Sequence, residues 1–178
     1  MERHIMCIDL KSFFASCECV ERNINPFTTP LVVANPNQGK GAITLAITPY
    51  LKSKGIKSRT RLYEIPPWIK YEIVPPRMSL YIKKSKEVVD IYLEFVSEED
   101  LHIYSVDECF LDVTHYLKMY GMSDKDLAKK ILQTITKKTG LTANCGIGPN
   151  MLLAKVAMDI VAKHIPADKN GVRIAELD

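Results

Sequence analysis

The sequence predicts an α+β fold, and three observations carry that expectation. Short apolar runs rich in Ile, Val and Cys alternate with longer stretches whose apolar residues recur at helical spacing. Outside one interrupted stretch, these segments follow in the order strand, helix, strand, strand, helix, strand. The interruption, between about Phe13 and Arg77, carries its own strand signals, prolines and glycines and reads as an insert. At 178 residues, 47% hydrophobic and 25% charged, the chain is long enough to bury a core around one domain with a modest insertion.

Each element has a local reason. Ile5-Met6-Cys7-Ile8 predicts a buried first strand that ends at Asp9. From Ser12 to about Arg22, Phe13, Phe14, Cys17 and Val20 recur near the helical period, and Asn25-Pro26 stops the run. Leu31 to Ala34 predicts a short strand closed by Asn35-Pro36-Asn37, and Gly39 and Gly41 bracket Lys40 in a flexible loop. Thr48-Pro49 starts a short helix that Gly55 closes. Lys52, Lys54, Lys57, Arg59 and Arg61 then crowd one stretch more densely than cations do anywhere else, a pattern that most often marks a solvated face. Pro66-Pro67 and Pro75-Pro76 flank a strand-like Tyr71 to Val74 and punctuate the end of the insert.

The remainder is more regular. Met78 to Val96 predicts a long amphipathic helix; Leu101 to Tyr104 and Cys109 to Val113 predict two strands joined tightly around Asp107-Glu108. Ser123, with Asp126 three residues on, caps a helix that presents Leu127, Ile131 and Ile135 and ends at Gly140. Leu141 to Ile147 is a fourth strand, Gly148-Pro149-Asn150 turns into a final apolar helix from Met151 to about Lys163, and Asn170-Gly171 opens a last piece.

Composition narrows the class. A formal charge of +3 permits a nucleic-acid partner without arguing for one. The 5 cysteines (Cys7, Cys17, Cys19, Cys109 and Cys145) include no C-x-x-C pair, and three lie in strand-like runs, so they are expected to be reduced thiols. No stretch approaches the ~20 apolar residues that span a membrane, and the N-terminus lacks a signal-peptide pattern. The expectation is a soluble, cytoplasmic protein with no membrane partner.

Without the insert, the element order is the ferredoxin-like βαββαβ arrangement. A right-handed crossover makes the first and second strands parallel with a gap between them, and the third strand fills the gap antiparallel to both. The start of the third strand, with Asp107 and Glu108, therefore lies beside the end of the first, with Asp9. Three such carboxylates repel unless cations relieve them, and hard oxygen ligands select Mg2+ or Mn2+. Two ions about 3.5–4 Å apart could activate a hydroxyl and stabilise a leaving pyrophosphate. Asp112 lies roughly 13 Å further along its strand and reads as structural.

Three co-linear segments carry a resemblance that spans nearly the whole chain: Cys7-Ile8-Asp9-Leu10-Lys11-Ser12-Phe13-Phe14-Ala15, Ser105-Val106-Asp107-Glu108-Cys109-Phe110-Leu111-Asp112, and Cys145-Gly146-Ile147-Gly148-Pro149-Asn150 running on through Met151-Leu152-Leu153-Ala154-Lys155. In order and spacing they resemble the motifs of Y-family lesion-bypass DNA polymerases, most nearly the bacterial UmuC-type branch. The resemblance implies a discontinuous catalytic palm (1–12 and 78–166), an inserted small α/β fingers domain (13–77), and the start of a truncated thumb (167–178). It implies two-metal nucleotidyl transfer to a primer 3′-hydroxyl in DNA repair and damage tolerance, with two Mg2+ ions for which Mn2+ can substitute. Asp9, Asp107 and Glu108 would be the metal-binding acids, with the Leu10 carbonyl as a further ligand. Phe13 and Phe14 would meet the nucleotide, Phe14 as a steric gate against a ribose 2′-hydroxyl, and Lys52 and Lys155 would contact the triphosphate. Implied partners are primer-template DNA, deoxynucleoside triphosphates and a sliding clamp reached through a missing C-terminal part.

The sequence also departs from that pattern. Ala46 and Pro49 stand where threonine and tyrosine contacts to the triphosphate are expected, leaving Thr48 as a substitute for one of them. The chain ends where a thumb would begin, so weak DNA binding and little activity are expected of it alone. Two other readings stay open: a nucleotidyl or diguanylate cyclase on the same topology, and a non-catalytic ferredoxin-like binding module.

Overall fold

The first apolar run is buried along almost its whole length because it becomes the centre of a sheet. In the computed structural model, which describes residues 1–169 and 172–178, β1 (Ile5–Leu10) is followed by α1 (Phe13–Glu21), β2 (Leu31–Val33), β3 (Ala46–Ile47), α2 (Pro49–Ser53) and β4 (Glu72–Val74). Then come α3 (Met78–Tyr92), the strands β5 (Leu101–Ser105) and β6 (Glu108–Asp112), and the helices α4 (Tyr116–Tyr120) and α5 (Asp124–Thr139). The chain closes with β7 (Ala143–Gly148), α6 (Met151–Val156) continuing as a π-helical segment (Ala157–Ala162), and β8 (Arg173–Glu176). The turn expected at Asn170-Gly171 lies outside the described residues. Two units result: Met1–Leu10 with Ser85–Asp178, and Lys11–Lys84.

In the first unit the sheet runs β5-β6-β1-β7-β8. β1 is antiparallel to both neighbours, with Asp9 opposite Glu108 on β6 and Asn144 on β7. The four expected strands thus take the ferredoxin-like order. β8 extends this sheet: residues 173–176, which the family resemblance assigns to the start of a thumb, pair parallel to β7. Ala175 is buried, with Ala157 and Ala162 of the π segment in the same apolar cluster. On one face Ile5, Cys7 and Phe110 pack with Ala154 and Met158. α5 turns Leu127, Ala128, Ile131 and Ile135 inward, and starts where expected, with the Ser123 hydroxyl accepting the Asp126 N–H at 3.1 Å. All five cysteines are buried and unbridged.

The second unit has a three-stranded sheet, order β3-β2-β4, with β2 antiparallel to β3 and parallel to β4. Val32, Ala34, Ile47, Leu51, Leu62 and Ile65 form its core. The Gly39–Gly41 stretch is a kinked 3-10 helix (Pro36–Gly41) rather than a loop, because the Asn35 side chain accepts the Asn37 N–H and caps it. Glu18 is fully buried on α1, where Arg77 donates to both carboxylate oxygens (2.6 and 2.8 Å) and Arg22 to one (3.0 Å). Burial would raise its pKa, but the two guanidinium groups hold it below the ordinary carboxylate value.

Gly146 explains how closely the last helical segment approaches β7. A Cβ there would lie 2.2 Å from the Met158 nitrogen and 2.3 Å from the Ala154 carbonyl oxygen, both backbone atoms. Gly146→Ala is expected to lower stability by about 1–3 kcal/mol. Gly41→Ala, which meets nothing within 4 Å, should stay within ~0.5 kcal/mol. Denaturant unfolding of the two variants checks this; equal midpoints would mean the helix yields freely.

Candidate active site

The acids converge because the sheet pairs them. β1 delivers Asp9 at its C-terminal end, and the β5–β6 hairpin turns at Val106-Asp107, with Ser105 opposite Glu108. Two hydrogen bonds lock the corner: the Leu10 N–H donates to the Asp107 carbonyl at 2.9 Å, and the Ser85 hydroxyl donates to the Val106 carbonyl at 2.6 Å. A third, from the Ser105 hydroxyl to Asp107 Oδ1 at 2.9 Å, orients that carboxylate. Ligand oxygens of Asp9, Asp107 and Glu108 all lie within 4.8 Å of one another.

Such a cluster needs positive charge, and the last helical segment supplies it. Lys163 Nζ lies 3.2 Å from Asp9 Oδ2. Lys155 donates to Glu108 Oε1 and stands 3.1 Å from Asp159, which also receives Lys163 at 3.3 Å. The Lys155 ammonium further sits over the Tyr104 ring, 5.3 Å from its centre. Burial works against the charge of both lysines, but their carboxylate partners outweigh it and raise both pKa values. Asp9 is 14% exposed and Glu108 11%. Burial, followed among the raising effects by the charges of Asp107 and Glu108, pushes the Asp9 carboxyl up to about 6 against the opposing pull of Lys163. Burial and the neighbouring Glu108 likewise push the Cys7 thiol up, with its Sγ 3.6 Å from Glu108 Oε1.

The donor set fits a hard divalent cation. Every candidate ligand is an oxygen, three of them from carboxylates. Four carboxylates share two ammonium groups, so negative charge is left over. Asn144, opposite Asp9 on β7, buries an Oδ1 that has no hydrogen-bond partner, a cost that a cation or its water would remove.

Several expected residues are placed differently from what their type suggests. Asp112 is structural: its carboxylate accepts from Thr114 and from Arg3, and these bonds outweigh burial to lower its pKa. Thr48 is fully buried, donating to the Thr29 carbonyl at 2.7 Å and accepting the Leu31 N–H, so its hydroxyl is not free to substitute for a triphosphate contact. In the second unit, Phe13 is 4% exposed and packs against Phe14 and Tyr81. Its ring is core, which leaves it little surface for the expected nucleotide contact. Phe14 is half-buried and stacks on Tyr81 at 4.3 Å and 13°. Lys52 is exposed on α2. Sequence reasoning missed Lys163; its signal was a cation four residues from Asp159 and eight from Lys155 on an otherwise apolar helix. It also missed Ser12, whose backbone is left-handed (φ 45°) and whose buried hydroxyl has no partner.

Comparison with known proteins gives the same direction. Residues 8–159 match the family described as IMS: impB/mucB/samB family. The UvrX protein of Bacillus subtilis (strain 168) is 40% identical over 172 residues, covering 96% of this chain and 39% of that protein. DNA polymerase IV 2 of the same organism is 36% identical, covering 96% of this chain and 40% of that one. A solved structure titled "Y-family DNA polymerase chimera Dbh-Dpo4(243-245)-Dbh" superposes with a TM-score of 0.77 at 25% identity, covering 97% of this chain and 48% of that chain. The chain thus spans about 40% of the length of these curated relatives.

The raised Asp9 carboxyl has a consequence for stability. The folded chain holds the Asp9 proton up to about pH 6, whereas the unfolded chain releases it near the ordinary carboxyl value of 3.8. Asp9 therefore costs stability increasingly as pH rises between those values. With chelator present, Asp9→Asn should gain about 1–3 kcal/mol relative to wild type between pH 4 and 6.5. Thermal midpoints recorded across that range check it; a constant difference would place the carboxyl in water.

Proposed function

Because the chain belongs to the impB/mucB/samB family, we propose that it forms the catalytic and nucleotide-binding part of a lesion-bypass DNA polymerase. The reaction is template-directed addition of deoxynucleotides to a primer 3′-hydroxyl. The observation that carries the reading is the meeting of Asp9, Asp107 and Glu108 within 4.8 Å at one end of the central strands. These three acids, with the Leu10 carbonyl, would hold two magnesium ions. Magnesium bound there would lower the pKa of the primer hydroxyl and offset charge on the leaving pyrophosphate.

The chain's own residues do the rest. Ser105 fixes one Asp107 oxygen, and the Leu10–Asp107 backbone bond keeps the strand end and the hairpin corner together. Lys155 and Lys163 neutralise Glu108 and Asp9 without metal. With Glu108 and Asp9 holding cations, the Lys155 and Lys163 ammonium groups would be free to meet the triphosphate. Phe14, held against Tyr81, presents a rigid ring to the sugar, and Lys52 adds a cation from α2. Primer-template DNA and deoxynucleoside triphosphates are the proposed substrates, and a sliding clamp is the proposed protein partner.

Calorimetric titration with Mn2+ needs this chain alone. Wild type should bind with carboxylate-dependent heat, and Asp107→Ala/Glu108→Ala should give none while keeping its far-UV circular dichroism. In a protein carrying these residues at the length of the relatives, the same double change should cut primer extension at least ~100-fold, the upper end of what losing even an outer-shell partner costs. Retained extension would remove both acids from the mechanism. Phe14→Ala in that protein should relax discrimination against ribonucleotides by ~10–100-fold; unchanged sugar selectivity would leave the ring without that role.

A further inference from the structure

The proposed chemistry uses Lys52 but leaves the other cations of the insert, Lys54, Lys57, Arg59 and Arg61, without a task. Lys54, Lys57, Thr60, Glu64 and Pro66 line an open hollow of about 360 Å³ on the second unit. Its one acid is already committed, because Glu64 Oε2 accepts the Arg61 N–H at 2.8 Å. Arg61 itself donates to the Gly41 carbonyl at 2.7 Å. Among the described residues, no carboxylate pairs with Lys54, Lys57 or Arg59. The face is therefore positive: Lys54 rests 5.3 Å over the Tyr50 ring with no carboxylate beside it, and Lys57 and Arg59 are exposed.

Two residues beyond Pro66, which lines the hollow, comes the chain's single tryptophan, Trp68. Pro66 and Ile69 close a turn through the Ile69 N–H and the Pro66 carbonyl at 3.0 Å. Ile65 and Ile69 pin both ends of that turn to the core. Pro67 stiffens the turn between them, and Trp68 is left 80% exposed. Tryptophan is usually well buried, so a clamp that holds it in water is a specific arrangement. Tyr63, 62% exposed on the neighbouring 3-10 turn (Leu62–Glu64), adds a second ring.

We propose that this face binds single-stranded DNA, with unpaired bases stacking on Trp68 and phosphates meeting Lys54, Lys57 and Arg59. Exposed rings beside cations that no carboxylate neutralises are what a flexible polyanion with free base faces requires. A duplex hides those faces, and an acidic protein surface is the competing occupant that the polyglutamate arm below tests. The choice of DNA rests on the polymerase reading; the contact itself is a second one, on a unit that does not contain the acids.

Because Trp68 is the only tryptophan, its fluorescence reports the contact directly. Titration with a twelve-residue oligodeoxythymidylate should quench it saturably, and a blunt duplex or polyglutamate should not. Trp68→Ala should weaken binding of the dye-labelled oligonucleotide at least ~5-fold by anisotropy. Lys57→Ala/Arg59→Ala should flatten the log K against log salt slope by ~1.4, two phosphate contacts on a single strand. Asp107→Ala/Glu108→Ala should quench like wild type, so failure here is separable from failure of the polymerase reading. Absent quenching, equal quenching by polyglutamate, or unchanged affinity and salt slope in the exposed-site variants would each overturn the proposal.

Discussion

Asp9 and Glu108 stand directly opposite each other across the central strand pair, and the rest of the site follows from that unfavourable placement. Like charges facing each other on neighbouring strands destabilise a sheet, and both groups are largely withdrawn from water. The neighbouring residues each answer that cost. Lys163 and Lys155 bring cations to Asp9 and Glu108, Ser105 hydrogen-bonds Asp107, and Asp159 ties the two lysines together. Asp9 still carries a raised pKa, which measures how incompletely the lysines succeed. A protein selected only for stability would place an Asn or Thr at one of these positions.

Much of this was legible in the sequence, and for a physical reason. The meeting of Asp9 with Asp107 and Glu108 depends on strand order and direction, which follow from right-handed crossovers and a tight hairpin rather than from side-chain detail. The Ser123 cap and the Gly140 stop were legible because capping is local chemistry. What escaped notice was non-local. The short helix α4 is held by the Tyr116 hydroxyl, which donates to Asp100 at 2.7 Å and accepts the Ser97 N–H at 2.8 Å, partners sixteen and nineteen residues away that no periodicity reveals. Strand β8 forms because the edge of β7 is open to it, and four residues of unremarkable composition give no advance sign of that pairing.

Residue type misled in the insert for the same reason. Thr48 sits where a nucleotide contact was sought, yet its hydroxyl closes backbone groups of Thr29 and Leu31. Glu18 looks like an ordinary exposed helix acid, yet it is the buried centre of an arginine pair that joins α1 to the start of α3. Removing one partner from such a group leaves an uncompensated charge, a larger loss than the pair itself contributes. The diguanylate cyclase and simple binding-module alternatives were open while only topology was in hand. The family match across residues 8–159 places the chain in the impB/mucB/samB family, and the polymerase proposal rests on that membership rather than on topology.

The last helical segment shows how a backbone irregularity can serve a charge requirement. In an α-helix, residues eight apart are displaced by about 80° around the axis, since each residue turns ~100°. Lys155 and Lys163 are eight apart, yet both reach the acid cluster, and Asp159 bridges them. The helix becomes π-helical between them, at Ala157–Ala162, and the wider turn takes up part of that displacement. Such bulges are uncommon and concentrate at functional sites. Gly146 removes the Cβ that would otherwise strike this segment at Met158 and Ala154, so the glycine on the strand and the bulge on the helix answer one demand. Two cations must stand over two buried carboxylates, and the wider turn at Ala157–Ala162 brings Lys163 round toward the stripe that Lys155 and Asp159 already occupy.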